Sequence, residues 1–161
     1  MTLRVELIPS GYDPARLQQE SALPDILEDA DRHCAKTGAR LTPLRRRVLE
    51  LVARAGAPVK AYDLLSQIDQ SNTSAKPPTV YRALDFLIEA GLVHRVEALN
   101  AFVACPQAGH GHAAVLYVCE ACANVTEVQG PRPGQENKPA GFTVKRSVIE
   151  HYGLCANCPQ N

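Results

Sequence analysis

The sequence predicts an α+β chain in two parts: an N-terminal winged-helix domain hinged to a small α/β domain built on a four-cysteine zinc site. Three observations carry this expectation. Apolar residues recur at helical spacing in four segments between Leu23 and Gly91. Two short strand-like segments follow, 93–97 and 102–104. Two Cys-x-x-Cys pairs, Cys119/Cys122 and Cys155/Cys158, then stand beside further strand-like runs. The boundaries fall at 1–104 for the first domain, 105–112 for the hinge and 113–161 for the second domain.

Residues 1–21, with Pro9, Gly11 and Pro14 among scattered charges, read as a loose arm. Leu23, Ile26, Leu27, Ala30 and Cys34 mark an amphipathic helix ending near Gly38, with Cys34 on its apolar face as a core residue. Thr42-Pro43 is an N-cap followed by the favoured first-turn proline, and Leu44, Val48, Leu51 and Val52 give the second helix its buried face before Gly56 stops it. Arg45, Arg46 and Arg47 cannot all lie on that face; they are either solvated surface or phosphate contacts. Ala61, Leu64, Leu65 and Ile68 form a third helix, and a polar loop leads to the fourth.

Pro77 and Pro78 can open that fourth helix at no cost in lost N–H bonds, and Gly91 suits the position past its end. Val80, Leu84, Leu87 and Ile88 make its buried face, which leaves Thr79, Tyr81, Arg82 and Asp85 elsewhere on the cylinder. After Gly91 the period becomes two, so Leu92, His94 and Val96 share one side of a strand. His94 is either a half-buried strand histidine or a metal ligand. Helix, helix, turn, helix and hairpin describe a winged helix, whose fourth helix reads DNA through its first turns. The candidate DNA contacts are Tyr62, Thr79, Tyr81, Arg82, Arg45 and Arg46.

Cys105-Pro106 closes the wing, and the glycines in 107–111 read as a hinge carrying His110, with His112 just beyond. Strands are expected over Ala113–Val118, Val125–Gln129 and Phe142–Ile149. Four thiolates in two knuckles match a closed tetrahedral zinc site, whereas a redox dithiol needs one pair only. The second domain is small, poor in aromatics and interrupted by Pro131, Pro133 and Pro139, so its core calls for metal, a partner or both. A homodimer would cover its open sheet edge and supply two reading helices for a two-fold DNA site.

The formal net charge of the 161 residues is zero, which excludes a uniformly basic binder. The charge is segregated instead. Acids dominate residues 1–31, while 32–60 carry eight arginines and lysines (Arg32, Lys36, Arg40, Arg45, Arg46, Arg47, Arg54, Lys60) against Glu50 alone. The N-terminus lacks the pattern of a secretory signal and no window reaches the apolar length of a membrane span, so the expected location is the cytosol, where cysteines stay reduced.

TPLRRRVLELV, KPPTVYRALDFLIEAGLVHRVE and the two Cys-x-x-Cys pairs together resemble the ferric uptake regulator superfamily, and most closely its zinc uptake regulator branch. The match spans roughly Leu23 to Cys158. The resemblance implies a homodimeric, zinc-dependent repressor of zinc uptake genes that binds a double-stranded DNA operator with zinc as corepressor. It implies two zinc ions per chain: a structural one on Cys119, Cys122, Cys155 and Cys158, and a regulatory one on His94, Cys105, His112 and Glu127. Two imidazoles, a thiolate and a carboxylate suit zinc better than iron or manganese, which favour more oxygen and nitrogen donors.

The chain departs from the superfamily at three places. Gly109-His110-Gly111-His112 stands where the iron-sensing branch has a His-His-Asp-His run, the proline-rich stretch 129–140 leaves room for only a turn or two of helix, and Lys60 replaces a small capping residue. Rival readings are a sensor of iron, manganese, nickel or peroxide within the same class, a zinc enzyme, and an interaction-only zinc ribbon. A deaminase would need His-x-Glu with Pro-Cys-x-x-Cys, neither of which occurs, and the ribbon leaves the arginines and Tyr81-Arg82 unexplained.

Overall fold

The computed structural model describes residues 14–70, 76–106, 113–130 and 138–159. Helices α1 (Pro14–Thr37), α2 (Pro43–Ala55), α3 (Ala61–Gln70) and α4 (Pro77–Glu89) come first. Strands β1 (Val93–Val96) and β2 (Ala101–Ala104) form an antiparallel hairpin, and β3 (Ala114–Cys119), β4 (Val125–Gln129) and β5 (Val148–Gly153) form a second sheet in the order β4-β3-β5.

Local chemistry explains most boundaries. α1 begins at Pro14, so residues 14–21 are helical and not the loose arm expected there. A proline at the first helical position sacrifices no N–H bond, a start signal obscured by the neighbouring Pro9 and Gly11. In α2 the Thr42 hydroxyl accepts from the Arg45 amide at 3.4 Å and Gly56 ends the helix in the left-handed region at φ 63°. α4 has no side-chain cap on Lys76, but Pro77 and Pro78 remove two of the N–H groups that would need one. Its far end closes with Leu92 N–H donating to Leu87 carbonyl at 2.9 Å around Gly91, whose φ of 68° disfavours any side chain.

The four helices enclose one core of Leu27, Ala30, Cys34, Val48, Leu49, Leu64, Leu84 and Leu87 among others. The hairpin joins it through Leu92, Val93 and Phe102. Val59, between α2 and α3, exchanges backbone bonds of 3.0 and 2.9 Å with Phe102 and so adds a third, one-residue strand to the wing. Leu92 turns into the helical core with Val93, and does not share a side with Val96 as the period-two reading expected, because it belongs to the closing turn of α4. Val96 faces the other way and packs with Ala114, Leu116 and Val118 of β3.

β3 and β4 form the expected antiparallel return. The last strand is shifted: it covers Val148–Gly153 and not Phe142–Ile149, and Phe142 is exposed outside any strand. The reason is the parallel pairing with β3, which sets Ala114 opposite Val148 and Cys119 opposite Gly153. Among the described residues this C-terminal part is entirely strand and loop; 131–137, most of the stretch 129–140 that leaves room for only a turn or two of helix, lies outside them.

Leu116 is fully buried in the cluster that joins wing and C-terminal sheet. Leu116→Ala should lower stability by about 2–5 kcal/mol, the cost of lost burial plus a cavity. Urea unfolding measures it, and a loss under about 1 kcal/mol would mean that wing and sheet do not share this core.

Candidate metal centres and nucleic-acid interface

The parallel register brings the two knuckles together. β3 ends at Cys119 and β5 at the opposite Gly153, so Cys122 and Cys155 leave the sheet from the same end. The first knuckle is a tight turn, with Ala123 N–H on the Cys119 carbonyl at 2.8 Å and Ala123 itself at φ 58°. The second closes with Cys158 N–H on the Cys155 carbonyl at 3.0 Å.

Sγ of Cys119 lies 3.8 Å from that of Cys158, and Sγ of Cys122 lies 3.7 Å from that of Cys155. A zinc tetrahedron with Zn–S near 2.3 Å has S···S edges of about 3.8 Å, so these thiols stand at metal-site spacing, far from a disulfide. Their protons are shared unequally. The Cys155 amide, donating to the Cys119 sulfur at 3.3 Å, holds Cys119 down to about 6, whereas hydrogen bonding to Cys155 and Cys122 pushes Cys158 up to about 12. A bound dication resolves this competition by favouring the thiolate at every vertex.

The second cluster straddles the wing and the C-terminal sheet. His94 sits on β1, Cys105 follows β2 with its amide on the Leu92 carbonyl at 3.0 Å, and Glu127 sits on β4 opposite Leu116. His94 Nε2 is 3.2 Å and Cys105 Sγ 3.6 Å from Glu127 Oε1, with the His94 and Glu127 side chains 11% and 9% exposed. One donor atom from each of the three lies within 4.8 Å of the others. Nitrogen, sulfur and carboxylate oxygen converging in so dry a place fit a borderline-soft divalent ion. The expected fourth ligand, His112, lies outside the described residues.

Thr79, Tyr81 and Arg82 are exposed on the first turns of α4, as is Tyr62 on α3. The arginines of α2 have protein partners. Arg45 lies 3.6 Å over the Phe86 ring and donates to the Arg40 carbonyl at 2.6 Å, which braces α2 against α4. Arg46 pairs with Asp31 at 3.2 Å, and Arg47 and Arg54 both reach Glu50, at 2.9 and 2.8 Å. The hydrogen bond from Arg47 holds the Glu50 carboxyl below its ordinary range.

Sequence reasoning does not single out Glu150 and Tyr152. Glu150 Oε1 accepts from the backbone N–H of Glu97, just past β1, at 2.8 Å, and the Tyr152 hydroxyl donates to Oε2. Only the parallel register of β5, invisible in a single sequence, brings them there.

The sequence model of the ferric uptake regulator family matches residues 36–152. The chain is 39% identical over 145 residues to the zinc uptake regulation protein of Escherichia coli, covering 87% of this chain and 85% of that one. Two solved structures are similar: holo XcZur, at 38% identity and TM-score 0.68 over 83% of this chain and 96% of that one, and a zinc uptake regulator complexed with zinc and DNA, at 36% identity and TM-score 0.68 over 84% and 94%.

Zinc should shield Cys119, Cys122, Cys155 and Cys158 from alkylation as one group, because each loses its reactive lone pair to the same ion. Cys34, buried and pushed up by that burial, should react slowly with or without metal. Mass spectrometry after timed alkylation reads this directly, and one of the four labelled at its zinc-free rate would break up the set.

Proposed function

This chain belongs to the ferric uptake regulator family, and we propose that it is a zinc-responsive DNA-binding transcriptional regulator, a cytoplasmic homodimer that represses zinc uptake genes with zinc as corepressor. The observation that carries the reading is the convergence of His94 and Cys105 from the wing with Glu127 from the C-terminal sheet. A metal held there joins two elements that also meet through Leu116 and Val96 and through the Glu97–Glu150 hydrogen bond, and so restricts how the reading helix is presented. The names of the similar proteins, a zinc uptake regulation protein and a regulator complexed with zinc and DNA, support the same conclusion.

Two ions per chain follow from two donor sets of different purpose. Cys119, Cys122, Cys155 and Cys158 hold a structural zinc within one sheet; His94, Cys105, Glu127 and, from the sequence, His112 hold the regulatory one. A thiolate in the second set favours zinc over iron or manganese. The four-sulfur set leaves no open position for a substrate water, which argues against a zinc enzyme. Domains at 1–104 and 113–161 around a hinge at 105–112 suit this division.

The outer face of the C-terminal sheet supports dimerisation. Val128, Val115 and Ile149 stand in one row across β4, β3 and β5, with Val128 48% and Ile149 40% exposed and Tyr117, half exposed, stacked on His151 beside them. A second copy covering that row would remove apolar surface from water and place two α4 helices on one DNA duplex.

His94→Ala and Cys105→Ser should remain folded and keep the structural zinc while losing the gain in DNA affinity as zinc rises. Zinc favours the DNA-competent state only as far as it binds that state more tightly, and a hundredfold preference corresponds to about 2.7 kcal/mol. Fluorescence anisotropy on operator DNA across buffered zinc tests it; a wild-type zinc midpoint in both variants would remove this cluster as the sensor.

Arg82→Ala should weaken specific binding by about 1–3 kcal/mol and flatten discrimination between operators if its guanidinium reads a base edge. Competition with random DNA decides the matter, since equal losses on both would make Arg82 a phosphate contact.

A further inference from the structure

A second contact joins the C-terminal sheet to the wing, and it uses no metal. The amide of Glu97 donates to Glu150 Oε1 at 2.8 Å, and Tyr152 holds the other oxygen. That bond to a carboxylate pushes the Tyr152 hydroxyl above its ordinary range, so it stays protonated and donating at neutral pH.

The position of Glu150 is what gives the contact meaning. Glu127 of β4, Leu116 of β3 and Glu150 of β5 are register partners, so they form one row across the sheet on the face turned towards the wing. One end of the row meets His94 and the other meets the Glu97 amide, with fully buried Leu116 between. On the wing these two points flank fully buried Val96, which packs in the cluster that includes Leu116. A wing held at the metal alone can pivot about it. Held at both ends of the row, with Leu116 and Val96 filling the middle, it has one orientation. α4 follows, because its closing turn at Gly91 runs directly into β1 and both share the helical core.

We infer that Glu150 is a positioning residue for DNA binding, the metal-independent half of a two-point grip that turns zinc at His94, Cys105 and Glu127 into one fixed orientation of the reading helix. This rests on the regulatory reading above. The grip borders a cleft of about 610 Å³ lined in part by Arg95, Glu97, Lys145, Glu150 and Tyr152, so water reaches it and its effect is moderate.

The test uses the full-length, zinc-loaded protein and operator DNA. Glu150→Ala should keep the wild-type zinc content and metal-free DNA affinity but lose about tenfold in affinity at saturating zinc, the usual range for coupling between sites. Glu150→Gln, which keeps an acceptor oxygen, should recover most of the loss. Amide exchange at Glu97 should be slow in wild type and Glu150→Gln and fast in Glu150→Ala. Should Glu150→Ala not fold, Tyr152→Phe, which frees Oε2 alone, should show a smaller loss of the same kind.

Wild-type affinity in zinc-loaded Glu150→Ala would overturn the proposal, as would an equal loss in Glu150→Gln. So would an equal loss with and without zinc, which is the mark of general destabilisation. A wild-type protein with no zinc-dependent gain would instead overturn the regulatory reading itself, and the coupling with it, while exchange at Glu97 still reports whether the contact exists.

Discussion

The parallel register of β3 against β5 is the constraint on which the four-cysteine cluster and the Glu150 contact with the wing both depend. Cys119 opposite Gly153 places the two knuckles at one end of the sheet, and Leu116 opposite Glu150 completes the row that faces the wing. A shift by one residue would turn Glu150 to the outer face and move Cys155 along the strand, away from its three partners. Parallel pairs need a long crossover and are weak in isolation, and this sheet has little apolar surface to add. Four thiols, with the Cys119–Cys158 and Cys122–Cys155 sulfurs 3.8 and 3.7 Å apart, are therefore more than a binding site. An ion that holds all four fixes the register, because no other alignment brings the sulfurs within reach of one metal.

The second cluster has the opposite character. Its donors come from β1, from the end of β2 and from β4, and the strands that carry them belong to two separate sheets. The apolar contact between those sheets is small, with Val96, Ala114, Leu116 and Val118 as its buried members. A contact of that size leaves the relative orientation of the sheets soft, which is the condition under which a few kcal/mol of metal binding can shift a population. On the proposed reading, stability is thus concentrated where a structural ion would sit and compliance where a regulatory one would act.

Legibility in the sequence followed the locality of the interactions. α2 and α4 could be placed almost to the residue because Thr42, Gly56, Pro77 and Gly91 act on their own backbone. β4 was equally plain as the strand returning from the Cys119/Cys122 knuckle. α1 reads short in the sequence because its start signal, Pro14, lies among other turn formers, and β5 reads early because Phe142, Val144 and Val148 alternate as well as the true strand does. Only pairing with β3 distinguishes the two registers. His94, Cys105 and Glu127 were found through resemblance and not through spacing: 11 and 22 residues separate them in turn, and nothing local marks them as neighbours. Glu150 had neither kind of signal.

The arginines of α2 sharpen what DNA binding must rest on. Arg46 already faces Asp31, and Arg47 and Arg54 share Glu50, whose carboxyl the Arg47 bond holds below its ordinary range. These pairs are partly exposed and each contributes at most about 1 kcal/mol to stability, so a phosphate can replace the carboxylate at little cost. The exchange still releases fewer counterions than binding by a bare guanidinium would, since part of the charge is already compensated. With zero formal net charge overall, attraction to phosphate falls to the local basic stretch 32–60 and not to the chain as a whole. On the proposed reading, discrimination falls to Thr79, Tyr81 and Arg82, exposed on the first turns of α4. With those arginines already paired, orientation becomes decisive on the proposed reading: a reading helix gains occupancy when it is presented correctly, and the proposed grip of the C-terminal sheet on the wing would set that presentation.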